Sequence, residues 1–234
     1  YFEPIVEAYG LSSVRRPGFE ADDIIGTLAK KGAKEGLDVV IVSGDKDMMQ
    51  LISPNVYMLD TMKNKKFMDK DVLEKFGVSP DKVIEVMGLM GDSSDHIPGV
   101  AGVGPKTAAA LIQKFGSIES LYKRIDEVEK NKVKEKLERD KENAFMSREL
   151  VTIDTKMDLE FNLDLMKLGK VDRIKLKKLF EEFEFVSLLE GVQGEVTNSL
   201  KVDRSDYKTI LTEASFDILL KRLVKEKSFA FDVE

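Results

Sequence analysis

Acidic residues and a glycine-rich turn occur together in one stretch, Met90–Ala108. Asp92 and Asp95 stand three residues apart, and carboxylate oxygens are the ligands that hard divalent cations prefer. In the turn Gly102–Thr107, glycines allow close backbone approach and Pro105 suits the first turn of a helix, whose N-terminus offers N–H groups to a phosphate. A metal site beside a phosphate site predicts phosphodiester chemistry on a nucleic acid.

A second acidic pair, Asp45 and Asp47, follows the apolar run Val39–Val42. A continuous run of this kind predicts a buried strand of a parallel sheet. Sites in open parallel sheets lie at the carboxyl ends of the strands, where this pair falls. The structural alternative is that one aspartate caps a following helix while its neighbour stays in solvent.

A third group, Glu20, Asp22 and Asp23, opens a predicted helix that ends near Gly36. Its structural alternative is to complement the helix dipole. If all three groups converge, like charges would keep several of the carboxylates protonated unless cations bind. Two Mg²⁺ ions about 4 Å apart would solve this, one activating water and one stabilising the leaving oxygen. His96 is the only histidine, and we expect a local hydrogen bond from it rather than catalysis.

The composition is that of an ordinary globular protein, with 42% hydrophobic and 34% charged residues. The net charge of −6 argues weakly against a nucleic-acid partner, but cations bound at acidic sites reverse the local field. The absence of cysteine excludes disulfides and thiolate chemistry and is compatible with a reducing cytosol. No apolar run reaches the ~20 residues that span a bilayer, and no signal peptide opens the sequence.

Hydrophobic periodicity predicts a mixed α/β chain. The runs at 56–59 and 66–68 flank a polar turn and predict a hairpin. Residues 150–165 are expected to be extended or loop-like. Helices are predicted over residues 2–9, 69–76, 80–89, 104–115, 118–122, 173–183 and 215–224.

Residues 123–149 carry dense charge of alternating sign. This pattern is typical of a solvated helix with Glu/Lys pairs four residues apart. The alternative is that Lys132, Lys134 and Lys136 contact phosphates.

Residues 191–206 are polar and contain two glycines, which favours a linker. Beyond it, a strand at 207–211, the helix at 215–224 and a strand at 229–231 predict the start of a second α/β domain, because about thirty residues cannot bury a core of their own. The chain begins with Tyr1 and stops after an apolar run, so we expect a fragment of a longer protein.

Three motifs, in their order and spacing, resemble the 5′-nuclease domain of the bacterial DNA polymerase I family, within the flap-endonuclease superfamily. They are Glu20–Asp23 (EADD), Ser43–Asp47 (SGDKD) and Gly91–Val100 (GDSSDHIPGV). The tail Ser228–Glu234 resembles the first motif of the adjoining 3′–5′ exonuclease domain.

The resemblance implies an α/β fold with one nearly complete domain, itself in two portions, and the start of a second domain. Residues 1–190 would form the 5′-nuclease domain without its N-terminal part, comprising a portion of the PIN-like parallel-sheet core (1–60) and a helical helix-hairpin-helix subdomain (80–150). Residues 207–234 would begin a ribonuclease-H-like exonuclease domain. Neither proofreading nor a polymerase module is expected from the sequence given.

The resemblance also implies the functional residues. The metal-binding carboxylates of the family match Glu20, Asp22, Asp23, Asp45, Asp47, Asp92 and Asp95, and the catalytic ones among them are Asp22, Asp45, Asp47, Asp92 and Asp95. The hairpin that holds duplex DNA, often with a bound K⁺, matches Gly102, Val103, Gly104, Lys106 and Thr107. The exonuclease metal ligands match Asp232 and Glu234.

The implied enzyme hydrolyses 5′ ends and 5′ flaps of DNA with two Mg²⁺ or Mn²⁺ ions, as part of a DNA polymerase I in replication and repair. Its partners would be 5′-flap, nicked or gapped duplexes and RNA primers on DNA, read by shape and backbone. A monomer in the bacterial cytoplasm, associated with the nucleoid and not with a membrane, is expected.

Two alternatives stay open. One is a stand-alone flap endonuclease or 5′–3′ exonuclease without a polymerase. The other is a non-catalytic module that binds DNA junctions, because the family's N-terminal strand, with two further metal-binding aspartates, has no counterpart in this sequence.

Overall fold

The computed structural model describes residues 2–193, 209–225 and 228. The helices are α1 (Phe2–Ala8), α2 (Ala21–Lys34), α3 (Asp69–Phe76), α4 (Val83–Met90), α5 (Pro105–Phe115), α6 (Ile118–Lys123), α7 (Asn131–Arg139), α8 (Lys141–Val151), α9 (Arg173–Glu182), α10 (Val186–Gln193) and α11 (Glu213–Leu223). The strands are β1 (Val39–Val42), β2 (Val56–Asp60) and β3 (Lys65–Phe67), and 3₁₀ helices lie at Lys46–Leu51, Pro80–Lys82 and Ile125–Glu127. The chain divides into a larger unit, residues 11–168, and a smaller unit formed by residues 1–10 and 169–234.

The larger unit contains a three-stranded sheet in the order β1-β2-β3. β1 pairs in parallel with β2, with Val39 opposite Val56, and β2 pairs in antiparallel fashion with β3, with Met58 opposite Phe67. Asn64 closes the hairpin in the left-handed region, at φ +47°. The predicted parallel strand and hairpin are therefore both present.

Only one face of β1 is buried in the described part of the chain. Ile41 is 4% exposed, whereas Val40 and Val42 are 41% and 61% exposed. The prediction of a fully buried strand is wrong for this reason: β1 lies at an edge of the described sheet. An apolar run shows that a strand is suitable for burial on both faces but does not supply the elements that would cover them.

Helix α4 lies at the centre of the main core. Its residues Val83, Val86, Met87 and Leu89 have no exposed surface. Gly88 lets α8 approach closely, because a Cβ added there would lie 2.7 Å from the Cβ of Arg148. A helix that is apolar almost all round needs partners on every side, and α5 and α8 are among those partners.

The charged stretch forms two helices that meet at Asp140. Helix α7 exposes most of its charges and buries Leu137, as the pattern predicts for a solvated helix. Helix α8 instead buries Ala144, Ser147 and Val151. The prediction of a solvated helix is therefore wrong for α8, where three small or apolar residues are placed against the core.

The smaller unit has its own cluster of buried side chains. Ala8, Leu176, Phe180 and Val192, from α1, α9 and α10, pack together. The N–H of Asp172 donates to the carbonyl of Ala8 over 2.7 Å, which joins the two chain segments of the unit.

Helix α10 extends beyond residue 190, to Gln193. The linker predicted to begin at residue 191 therefore starts inside a helix, and residues 194–206 of it lie outside the described residues. Helix α11 confirms the predicted helix near the C-terminal end. Residues 209–211 are irregular, while the rest of the strand predicted at 207–211, the strand at 229–231, Asp232 and Glu234 lie outside the described residues.

No helix within the described ranges has the length and apolar character needed to cross a membrane.

Candidate metal centre and nucleic-acid interface

A cleft of about 310 Å³ in the larger unit brings the three acidic groups together. Residues Leu150–Ile153, at the end of α8, complete its lining. Sequence reasoning missed this part, which carries no motif and reaches the cleft only because α8 packs on α4. The carboxylates that line the cleft are Glu20, Asp22, Asp23, Asp45, Asp47 and Asp95.

The first turn of α2 supplies the earliest of these groups. Asp23 accepts a hydrogen bond of 2.8 Å from the N–H of Asp154, so it also anchors the segment after α8. Burial, and then the charge of Asp45, raise the pKa of Asp22 above its usual value. A carboxylate with a raised pKa is in an environment that favours a bound proton or cation.

The turn after β1 places Asp45 and Asp47. Asp45 caps the 3₁₀ helix by accepting the N–H of Asp47 over 2.9 Å, and its own N–H donates to Ser43 Oγ over 3.0 Å. The structural alternative for Asp45 is thus realised, but Asp45 also lines the cleft. Asp47 Oδ1 is buried and accepts no hydrogen bond from the described residues. Burial, and then the charge of Asp45, raise the pKa of Asp47 to about 6.

Asp92 and Asp95 lie in a short loop, the metal loop (Asp92–Ile97). The N–H of Asp92 donates to the carbonyl of Ile97 over 2.9 Å, and the reverse bond measures 2.8 Å. Asp92 Oδ2 lies 2.5 Å from Lys46 Nζ, and Oδ1 accepts the N–H of Ser94 over 2.9 Å. Burial acts to raise the pKa of Asp92, but these interactions with Lys46 and Ser94 outweigh it, so that its pKa is lowered.

Three carboxylates are close enough to share one cation. Ligand oxygens of Asp47, Asp92 and Asp95 lie within 4.8 Å of one another. An all-oxygen donor set suits Mg²⁺ or Mn²⁺, and Asp47 Oδ1, which accepts no hydrogen bond from the described residues, is free to act as a donor atom, so the residues present fit a divalent cation. Within the described ranges, no other group of three His, Cys, Asp or Glu residues meets this distance limit. The carboxylates of Glu20, Asp22, Asp23 and Asp45 line the cleft but do not belong to this group.

Two residues near the metal loop differ from expectation. His96 is exposed in the left-handed region at φ +59°, and the hydrogen bond expected from it is not found within the described part of the chain. Lys46 received no role from the sequence, although it neutralises the most buried carboxylate of the site. Its position between two aspartates in the SGDKD motif was the available signal.

The turn Gly102–Thr107, called the hairpin below, leads directly into α5. Gly102 has φ +77°, Val103 is buried, and Gly104 precedes Pro105 at the start of α5. The first intrahelical bond runs from the N–H of Ala108 to the carbonyl of Gly104. The N–H groups of Lys106 and Thr107 therefore have no acceptor within the helix and are available to an anion.

Glycines connect the metal loop to the hairpin. A Cβ on Gly99 would lie 2.3 Å from the backbone N of Gly91, and both residues have positive φ. Only glycine allows the backbone before the loop to touch the backbone after it. Asp92 and Asp95 of the candidate cation site and the candidate phosphate site thus lie on one continuous segment.

Sequence comparisons agree with this architecture. The family profile for the 5′-3′ exonuclease N-terminal resolvase-like domain matches residues 1–77, and that for the 5′-3′ exonuclease C-terminal SAM fold matches residues 78–174. DNA polymerase I of Bacillus subtilis is 40% identical over 228 residues, which are 94% of this chain and 26% of that protein. A 5′-3′ exonuclease of Aquifex aeolicus is 38% identical over 188 residues, 80% of this chain and 64% of that protein. The chain thus spans about a quarter of the Bacillus polymerase.

Two solved structures share the fold. The T5 5′-exonuclease with bound zinc has a TM-score of 0.54 at 24% identity, over 75% of this chain and 62% of that chain. The catalytic core of Rad2 in complex with DNA substrate has a TM-score of 0.56 at 17% identity, over 82% of this chain and 68% of that chain. The two adjoining profile matches together cover residues 1–174, and the chain therefore belongs to the 5′-3′ exonuclease family.

Proposed function

We propose that this chain hydrolyses phosphodiester bonds at 5′ ends and 5′ flaps of DNA, using divalent metal ions. The observation that carries the proposal is the cleft, in which carboxylates from three separate chain segments converge. The segment that supplies Asp95 continues along the chain into the hairpin, where the N–H groups of Lys106 and Thr107 have no acceptor within α5. Neither feature is specific alone, but one chain segment carries both a candidate cation ligand and a candidate phosphate site.

The carboxylates would hold Mg²⁺ or Mn²⁺. Asp47, Asp92 and Asp95 form the better defined position, and the carboxylates at the start of α2, with Asp45, would hold a second ion. When bound, such ions supply a water of lowered pKa and stabilise the leaving oxygen. Asp45 orients Asp47 through its cap, and Lys46 keeps Asp92 charged and in place. The zinc bound to the T5 5′-exonuclease supports a metal-dependent site.

The hairpin would hold the DNA backbone. The N–H groups of Lys106 and Thr107 and the exposed ammonium of Lys106 present positive charge to a phosphate, while Gly102 and Gly104 leave room for it. Such contacts position a duplex without reading its sequence, and a K⁺ ion at the hairpin is part of the same proposal. The DNA substrate bound to the Rad2 core supports this mode of use.

The wider setting is proposed from the relatives. A DNA polymerase I that acts on nicked or gapped duplexes and RNA primers, as a monomer in the bacterial cytoplasm and nucleoid, is favoured because the Bacillus polymerase matches over 94% of the chain. The Aquifex exonuclease, which matches over 80%, favours a stand-alone exonuclease as the second candidate.

One experiment tests the proposal. The chain is mixed with an end-labelled 5′-flap duplex, either with Mg²⁺ or with EDTA, and binding and cleavage are scored on parallel gels. We expect binding in both conditions and cutting near the junction only with Mg²⁺. Binding without any cutting would replace the proposal by the non-catalytic junction-binding module. The absence of both would overturn the assignment of cleft and hairpin to DNA.

A further inference from the structure

Two side chains at the end of α7 hold the backbone of the hairpin. Lys136 Nζ donates to the carbonyl of Gly102 over 3.0 Å, and Asp140 Oδ2 accepts the N–H of Ala101 over 2.9 Å. Because Lys136 and Asp140 are four residues apart, they project from one side of the helix end. They therefore bind two neighbouring backbone groups of opposite polarity, one acceptor and one donor.

Two further side chains support the clamp, defined as Lys136 and Asp140, and the backbone next to it. Arg139 donates to both carboxylate oxygens of Asp140, over 2.8 and 2.7 Å, which sets the orientation of that group. Deeper in the structure, the fully buried Ser147 accepts the N–H of Gly99 over 2.9 Å. Hydrogen bonds to charged groups are stronger than neutral ones, so the two clamp bonds are suited to fixing an exposed turn.

The clamp separates the lysines of α7 by role. Lys134 is engaged with Asp126, at 2.5 Å, and lies 3.9 Å from Glu138. Lys136 is engaged with Gly102. Lys132 is exposed and has no hydrogen bond or ion pair within the described ranges. A lysine that already donates to a backbone carbonyl is less available to a phosphate, which argues against the phosphate contact that the sequence suggested for Lys136.

We infer that Lys136 and Asp140 are positioning residues that set the placement of DNA on the hairpin relative to the carboxylate cleft. The inference rests on the proposed function. Gly99 packs on Gly91, and the N–H of Val100 donates to the carbonyl of Leu89 over 2.8 Å, so the backbone is held up to Val100, directly before Ala101 and Gly102. The clamp bonds are made at those two residues.

The first test uses Lys136→Met, which keeps the apolar stem and removes the donor. Affinity for a labelled 5′-flap duplex is measured between low and moderate salt, in EDTA. A phosphate contact would reduce the slope of log affinity against log salt by about one, whereas a positioning residue lowers affinity with the slope unchanged. We expect a loss of about fivefold to tenfold, an unchanged slope, and rescue by Lys136→Arg.

Lys132→Met is the matched control, because it removes the same charge from the same helix without touching the hairpin. Its loss of affinity measures the charge effect alone. Lys136→Met must lose about fivefold more than this control at moderate salt, where charge effects are smallest.

The second test asks whether a variant binds DNA more tightly or more weakly than wild type. Asp140→Ala removes a negative charge and frees Arg139, so electrostatics alone predicts tighter DNA binding. The clamp predicts weaker binding, by about threefold to tenfold, and near wild-type affinity for Asp140→Asn, which retains an acceptor oxygen. Thermal unfolding followed by circular dichroism checks that the variants are folded at the temperature of the assay.

The position of the cut is a further measurement, which would not change if the clamp only stabilised the fold. With Mg²⁺, we expect Lys136→Met and Asp140→Ala to spread the cut over neighbouring phosphates, while Lys132→Met keeps the wild-type position. Tighter binding by Asp140→Ala, or a slope reduced by one in Lys136→Met, would overturn the clamp and leave the proposed function standing. Failure of the wild-type chain to bind the duplex would instead overturn the proposed function.

Discussion

The carboxylate cleft and the hairpin lie on adjoining chain segments but are stabilised in opposite ways. In the hairpin segment, the backbone groups of Gly99, Ala101 and Gly102 are each bonded to a side chain of α7 or α8. In the cleft, a buried oxygen of Asp47 accepts no hydrogen bond from the part of the chain that the structure describes, and burial raises the pKa of Asp47 to about 6. The hairpin is therefore organised before a ligand arrives, whereas the cleft holds repulsion that a cation would relieve.

The largest effect should come from removing the cleft charges at the end of β1. In Asp45→Ala with Asp47→Ala, we expect Mg²⁺-dependent cleavage to fall by about a thousandfold or more, because the ion positions are lost. Binding of the flap duplex in EDTA should stay within about twofold. Initial rates and gel binding are measured on the same preparation.

Asp38→Ala serves as the control for that variant, since Asp38 is an exposed acidic residue just before β1. Equal losses of cleavage and of binding in the double variant would mean that Asp45 and Asp47 are structural, and the contrast between cleft and hairpin would disappear.

The next effect concerns the junction of the two regions. Gly99→Ala forces a Cβ against the backbone N of Gly91, 2.3 Å away, at φ +57°, and should cost about 2–4 kcal/mol of unfolding free energy in urea titrations. Gly116→Ala is the matched control: its φ is +84°, but among the described residues no atom would lie within 4 Å of the added Cβ, so only the backbone cost of about 1 kcal/mol applies. Similar losses in both variants would show that the close approach is not maintained in solution.

A smaller effect is expected at the hairpin itself. Lys106→Ala with Thr107→Ala should weaken binding of the flap duplex by about tenfold, whatever its base sequence, and reduce the salt slope by about one. The rise in melting temperature that Mg²⁺ causes by binding in the cleft should be the same as in wild type. Binding equal to wild type would remove the hairpin from the DNA interface.

The smallest effect is a pH dependence. In the metal-free protein, the pKa of Asp47 is raised to about 6 from an unfolded value near 3.8, so the folded state binds the proton more tightly. Asp47 therefore destabilises the fold above pH 6, and this penalty is lost as the pH falls from about 6 towards 3.8. Urea titrations should show wild type gaining stability relative to Asp47→Asn over that range, and Mg²⁺ should abolish the difference. A constant difference between the two proteins would contradict the raised pKa.

Much of the local structure followed from sequence pattern. Gly116 and Ser117 predict the end of α5 and the start of α6, and the structure has a positive φ at the glycine and a side-chain cap at the serine. The hairpin of β2 and β3 and its turn are predicted equally well. Such features depend on neighbouring residues only, which is why propensity and spacing are sufficient for them.

Long-range packing accounts for the features that the sequence left undecided. The alternating charges of residues 123–149 do not reveal that α8 is buried on α4, because burial there depends on Gly88, more than fifty residues earlier. The same packing brings Leu150–Ile153 to the cleft and Ser147 to Gly99. The apolar run of β1 likewise does not say that Val40 and Val42 are exposed.

The sequence by itself determined the types of residues in the site and the turns that carry them, because carboxylate spacing and glycine positions are local properties. The tertiary structure decided which oxygens meet: Asp47 with Asp92 and Asp95, Lys46 with Asp92, and Lys136 with Gly102. These contacts join residues far apart in the chain, and only the packing of helices and sheet around one core sets distances of a few ångströms between them.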